Sequence, residues 1–182
     1  MRKEIEVKAR AGNLSELASK LESLGFVVSE PIAQRDAIFV DSNYGQFDQF
    51  QPDKNLLRIR ESGEKFVFTI KQPKANQLDS IEHETEIANA EEMKEALILM
   101  GFHEAVRVNK TRRKTRYNDW EICLDEVEGL GSFIEVEKIA DDENVEKVQA
   151  ELFAFLEALG VKKEDRVHDG YDTLVYLKSR KD

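Results

Sequence analysis

Glu4-Ile5-Glu6-Val7-Lys8 lies within a first strand predicted over Met1 to Arg10, and its alternation governs how the rest of the chain reads. Side chains alternate faces along a strand, so Glu4, Glu6 and Lys8 share one side while Ile5 and Val7 share the other. Two carboxylates and an ammonium therefore stand in a row, backed by an apolar stripe. A single strand of this kind says little, because half-exposed strands often alternate in this way. Repetition gives it weight. The Glu-x-Glu spacing returns at Glu84/Glu86 and Glu135/Glu137, and each copy leads into an amphipathic helix closed by Gly25, Gly101 or Gly160. The periods are unequal, which suggests pseudo-symmetry within one domain and not a solenoid.

Outward from that strand, the chain alternates short strands with capped helices. Asn13 with Glu16, and Asn89 with Glu92, form two capping boxes. They open helices striped by Leu14, Leu17, Leu21 and Leu24, and by Met93, Leu97 and Met100. Strands are predicted over Gln34–Val40, Leu56–Arg60, Lys65–Lys71, Ile81–Ala88, Val106–Tyr117, Trp120–Val127 and Ser132–Ile139, with a hairpin turn across Glu61-Ser62-Gly63-Glu64. Tyr44 to Asp53 reads as a mobile loop. A long helix is expected from about Asp142 to Leu159 and a short one around Tyr171 to Lys178.

The charges on these strands are patterned. Arg58 and Arg60 flank Ile59, Lys71 ends its strand, and Lys110, Arg112 and Lys114 alternate along the basic strand. Asp125 follows Ile122-Cys123-Leu124, where Cys123 reads as a core position. An antiparallel sheet with one face in water explains any one strand. A closed barrel, its apolar face outward beneath the helices, would instead make these charges its lining. Buried charges are costly unless paired or ligated, so a lining of both signs matches a polyphosphate with divalent metal.

The chain has 182 residues, 41% hydrophobic and 35% charged, enough for one large domain with a buried core. A formal net charge of -10 argues against nucleic-acid and anionic-membrane partners, since the overall field repels phosphate. With Cys123 alone, no internal disulfide forms. The three histidines are dispersed without metal-ligand spacing. The chain opens on a charged strand without an apolar signal core, and a soluble cytoplasmic protein is expected.

Several motifs occur in order along the chain: Glu4-x-Glu6-x-Lys8, Gln34-Arg35-Asp36-x-x-Phe39, Leu57-Arg58-Ile59-Arg60, Thr69-x-Lys71, Glu84-x-Glu86, Lys110-x-Arg112, the run Leu124 to Gly131, and Phe133-Ile134-Glu135-Val136-Glu137. Together they resemble the CYTH superfamily, the triphosphate tunnel metalloenzymes, over almost the whole chain. Within that superfamily the likeness is greatest to class IV adenylyl cyclases, through Leu124-Asp125-Glu126-Val127-Glu128-Gly129-Leu130-Gly131 and the late Gly170-Tyr171. The resemblance implies an α+β fold, a closed eight-stranded antiparallel β-barrel with flanking helices, as a single CYTH domain over residues 1–182. It also implies Mg2+ or Mn2+ as cofactor, a nucleotide or other triphosphate as substrate, and a homodimer. Carried over by position, Glu4, Glu6, Glu135 and Glu137 are metal ligands, and Glu4, Glu6, Lys8 and Asp125 form the catalytic group. Lys8, Arg58, Arg60, Lys71, Lys110 and Arg112 form the triphosphate cradle, with Arg113 an alternative to Arg112, and Glu84 and Glu86 are acidic lining. Family members often carry an Arg just ahead of the Glu84 position, and Ile81-Glu82-His83 offers none.

Three activities are compatible with that lining. The first is a class IV-type adenylyl cyclase that converts ATP to cyclic AMP and pyrophosphate. The second is a triphosphatase acting on tripolyphosphate, thiamine triphosphate or a nucleoside triphosphate. The third is a polyphosphate-binding module without turnover. Residue identity does not decide which phosphorus lies beside the nucleophile.

Overall fold

Backbone hydrogen bonding closes the strands into a ring. The computed structural model describes residues 2–141 and 144–180. Eight strands form the barrel: β1 (Arg2–Arg10), β2 (Ile32–Asp41), β3 (Leu56–Ser62), β4 (Lys65–Pro73), β5 (Asp79–Ile87), β6 (Phe102–Tyr117), β7 (Trp120–Val127) and β8 (Gly131–Asp141). Their order around the ring is β1-β5-β4-β3-β2-β6-β7-β8 and back to β1, every neighbouring pair antiparallel. The seam between β1 and β5 is short, pairing only Glu4 with Ser80 and Ile5 with Asp79. Glu6 N extends it by donating to Leu78 O, and the Gln149 amide bridges Glu6 O and Leu78 O at 3.1 and 3.5 Å. A two-residue strand, β9 (Arg166–Val167), takes the stretch of β1 at Lys8 and Ala9 that β5 leaves open.

Helices α1 (Leu14–Ser23), α2 (Ala90–Leu99), α3 (Val145–Ala158) and α4 (Tyr171–Ser179) complete the fold. Asn13 and Asn89 cap α1 and α2 through their side-chain oxygens, as their capping boxes predict. Gly25 and Gly160 sit at φ near +89° just past α1 and α3, where a left-handed residue closes the helix and a side chain would be strained. The predicted start of the long helix, Asp142, and of the first strand, Met1, lie outside the described residues. No helix among the described residues is long and apolar enough to cross a membrane.

The apolar face of the barrel points outward. Ile5, Val7, Ile122, Leu124, Ile134 and Val136 are fully or nearly fully buried beneath α1 and α3. Leu97 of α2 covers Phe39, Leu57 and Ile59. This arrangement removes sheet edges and leaves the ionic face nowhere to go but in. The fourth helix behaves differently. Val108, Val127 and Phe133 share strand parity with Lys110, Asp125 and Glu135, so they face the interior, and Tyr171 of α4 packs on them. Thus α4 closes one end of the barrel and does not lie along its wall.

The segment expected to be a mobile loop is anchored there as well. Tyr44 and Phe47 are buried, with ring centroids 5.9 Å apart, and Phe47 lies 5.1 Å from Tyr176 of α4. Surrounding Gln and Asp residues mask two aromatic anchors that bury a large area for little side-chain entropy.

Candidate active site

The closed ring turns strand parity into geometry. Glu4, Glu6 and Lys8 of β1 face a cavity of about 580 Å³, together with Arg58 and Arg60 of β3, Lys71 of β4, Lys110 and Arg112 of β6, and Glu135 and Glu137 of β8. A volume of this size accommodates a nucleotide-sized ligand.

Most of these charges are paired. Asp125, fully buried, accepts from Arg112 Nε at 2.7 Å and from Lys110 Nζ at 3.2 Å. Glu135 also bonds Arg112 and meets Lys8 Nζ at 3.1 Å. Arg60 grips Asp36 with two bonds of 2.7 Å, the fork-to-carboxylate geometry that guanidinium favours. Burial alone would raise the Asp36 carboxyl, but Arg60 overrides it and lowers the pKa to about 2. Glu82 is likewise held at about 2, against burial, by Lys71 at 2.8 Å and Arg58 at 3.7 Å. Lys110 goes the other way. Burial and then Arg112 lower it to about 8, despite Asp125 and Glu135.

One corner contrasts with this balance. Carboxylate oxygens of Glu4, Glu6 and Glu137 lie within 4.8 Å of one another. Glu4 and Glu137 make neither a hydrogen bond nor an ion pair among the described residues. Burial, then Glu82 and Glu137, raise Glu4 well above the usual carboxylate range. Burial lifts Glu137 to about 7; Arg112 opposes the rise, while Glu121, Glu6 and Glu135 add to it. Crowded acids without cations are stabilised either by taking up protons or by a bound cation. Their hard oxygen donors suit Mg2+ or Mn2+, so the residues present fit a divalent metal.

The CYTH domain model matches residues 2–171. The chain belongs to the CYTH family. A Methanocaldococcus jannaschii protein provisionally named adenylate cyclase is 31% identical over 173 residues, covering 92% of this chain and 95% of its own. Among solved structures, a Pyrococcus horikoshii protein aligns with TM-score 0.78 at 27% identity, over 94% of this chain and 98% of that one. A Hippeastrum protein aligns with TM-score 0.64 at 22% identity, over 98% and 96% of the two chains, a likeness of fold alone.

Within this CYTH barrel the sequence-predicted residues separate. The cavity brings together Glu4, Glu6, Lys8, Arg58, Arg60, Lys71, Lys110, Arg112, Glu135 and Glu137, with Glu84 at its rim bonded to Arg58 at 2.8 Å. Asp125 points inward but is fully buried beneath Arg112 and Lys110, which it holds, and does not itself line the cavity. Glu135 is occupied by Lys8 and Arg112 and stands apart from the three-carboxylate corner. Two expectations are corrected. Arg113 faces outward, donating to Ser29 O at 2.9 Å, because it has the opposite parity to Arg112. Glu86 is exposed and pairs with Lys65 at 2.5 Å, outside the cavity, because β4 and β5 run past the rim where parity no longer means enclosure. Cys123 is buried as expected, but on the inner face, grouped with Glu121 and Glu137 and not with the helix-covered core. Asp36, Glu82 and Tyr171 received no site role from the sequence. Strand parity would have placed the two acids, and nothing local would have placed the tyrosine.

Proposed function

We propose that this CYTH barrel binds a triphosphate with divalent metal and works as a class IV-type adenylyl cyclase, converting ATP to cyclic AMP and pyrophosphate. The observation that carries the reading is the contact, within one cavity, between a cation-poor corner of three carboxylates and a wall of buried Lys and Arg. Glu4, Glu6 and Glu137 would hold Mg2+ or Mn2+. When bound, such an ion offsets phosphate charge and lowers the cost of deprotonating the attacking ribose hydroxyl. Lys8, Arg60, Lys110 and Arg112 orient phosphate oxygens and stabilise the charge that builds on departing pyrophosphate. Asp125, Glu135 and Asp36 hold those cations in position before substrate arrives, so little reorganisation accompanies the reaction. Lys110, at about 8, becomes firmly protonated once a phosphate lies beside it.

A second reading, a triphosphatase, is favoured by the Hippeastrum protein, which is described as having a dominant triphosphatase activity. The same residues would serve, with water in place of the ribose hydroxyl and the terminal phosphorus beside the carboxylates. Purified protein incubated with ATP or tripolyphosphate and Mg2+ or Mn2+ separates the readings. Cyclic AMP with pyrophosphate supports the cyclase and orthophosphate supports the triphosphatase. Bound but intact substrate would leave a polyphosphate-binding module. The same proposal takes residues 1–182 as one CYTH domain acting in the cytoplasm, and sedimentation tests the homodimer implied by the class IV likeness.

A further inference from the structure

Tyr171 opens α4 and is the residue that helix inserts into the barrel end, 8% exposed and edge-on to Phe133 at 5.1 Å. Its ring centroid lies 4.1 Å from Lys8 Nζ and 4.9 Å from Lys110 Nζ, so one aromatic platform carries two ammonium groups drawn from β1 and β6. The platform is held firmly. Gln77 Oε1 accepts from Gly170 N at 2.9 Å and from Thr173 Oγ1 at 3.3 Å, and Lys8 Nζ donates to Asp169 O at 3.3 Å. Yet the Tyr171 hydroxyl is buried and has no hydrogen-bond partner among the described residues.

Buried hydroxyls are nearly always satisfied, and a phenylalanine would pack here without that cost. Tyr171 is among the residues that line the cavity, from which a ligand would supply the partner that the described residues do not. A phenol hydroxyl both donates and accepts, and the hydrogen of this one has no acceptor among the described residues. The ring meets the cations Lys8 and Lys110, and the nearby acids Glu135 and Asp125 are already bonded to Lys8, Lys110 and Arg112, which leaves an anionic oxygen of a ligand as the acceptor that suits the site.

We propose that the Tyr171 hydroxyl donates to a phosphate oxygen of the bound triphosphate, alongside Lys8 and Lys110, while its ring positions those two ammonium groups. The proposal rests on the triphosphate reading of the cavity and adds a neutral donor to it. It gives α4 a part in binding as well as in closing the barrel.

Calorimetric titration of tripolyphosphate with Mg2+, together with melting curves of the ligand-free protein, tests it on wild type, Tyr171→Phe and Tyr171→Leu. Losing the hydroxyl alone is expected to leave Tyr171→Phe at least as stable as wild type, with affinity for tripolyphosphate about tenfold lower. Tyr171→Leu, which also loses the platform, binds more weakly still. Wild-type affinity in Tyr171→Phe overturns the proposal. A lower melting point in that variant also overturns it, because the hydroxyl would then have its partner inside the protein. If wild type itself takes up no tripolyphosphate, the reading of the cavity fails first.

Discussion

Two parts of the same lining are built on opposite electrostatic terms. Along β6, β7, β8 and the adjoining β1, Lys8, Lys110 and Arg112 share Asp125 and Glu135, so each buried charge already has its counter-charge. Beside this stretch, Glu4, Glu6 and Glu137 crowd together, and Glu4 and Glu137 form no ion pair among the described residues. The paired wall is complete in the protein alone and holds donors in place. The crowded corner is complete only with a proton or a metal. The largest expected effect follows from that corner. Glu137→Gln removes a ligand charge and little volume, so metal-dependent turnover of triphosphate falls by about a hundredfold or more while folding is unharmed. Near-normal rates in that variant at limiting metal would erase the distinction between the two regions.

The wall makes the opposite forecast. Asp125→Asn leaves Arg112 and Lys110 buried without their shared counter-charge, and breaking such a pair costs about 3–5 kcal/mol. Urea unfolding measures it; a loss no greater than that of a surface substitution would mean that the wall charges are solvated after all. Stability against pH separates the regions by sign. Glu137 titrates near 7 folded against 4.5 as its ordinary value, so the folded state keeps a proton that the unfolded chain releases. Its contribution is fully present below about 4.5 and is lost as pH rises through 7, provided chelator keeps metal away. Asp36, at about 2 against 3.8, contributes fully above about 3.8 and loses its effect as pH falls through 2. Melting temperatures in chelator from pH 4.5 to 8 should therefore decline in wild type and decline less steeply in Glu137→Gln, where Glu4 keeps its own raised carboxyl. Identical slopes in the two proteins would remove Glu137 from the crowded corner.

The same contrast shows what the sequence carries and what it does not. Parity along each strand tells which residues share a face, and ring closure is what the resemblance to the CYTH superfamily implies, so from the two together the barrel and most of its lining were legible. Which cation meets which acid was not. Asp36 and Arg60 stand 24 residues apart and meet only because β2 and β3 pair in one register. Three consecutive basic residues, Arg112-Arg113-Lys114, do not say by themselves which one points inward; the pairing of Arg112 with Asp125 does. Parity misled at Glu86, where the hairpin outruns the closed part of the ring. Tyr171 was beyond reach because its helix folds back into the barrel end, a docking that no periodicity records.

The smallest effect lies at the rim, where the paired wall meets solvent. Arg58 donates to Glu84 at 2.8 Å and to Thr69 Oγ1 at 3.1 Å, but the Glu84 side chain is 51% exposed. Glu82, its second acid, keeps Lys71 and the Ser80 hydroxyl if Arg58 is removed. No buried charge is stranded, so Arg58→Ala should change folding stability by less than about 1 kcal/mol. Its Nε is buried without a partner among the described residues, which leaves a charged donor available to phosphate. Affinity for tripolyphosphate should then fall about tenfold while the melting point barely moves. A stability loss approaching that of Asp125→Asn would place Arg58 with the interlocked wall, and unchanged affinity would remove it from the phosphate cradle.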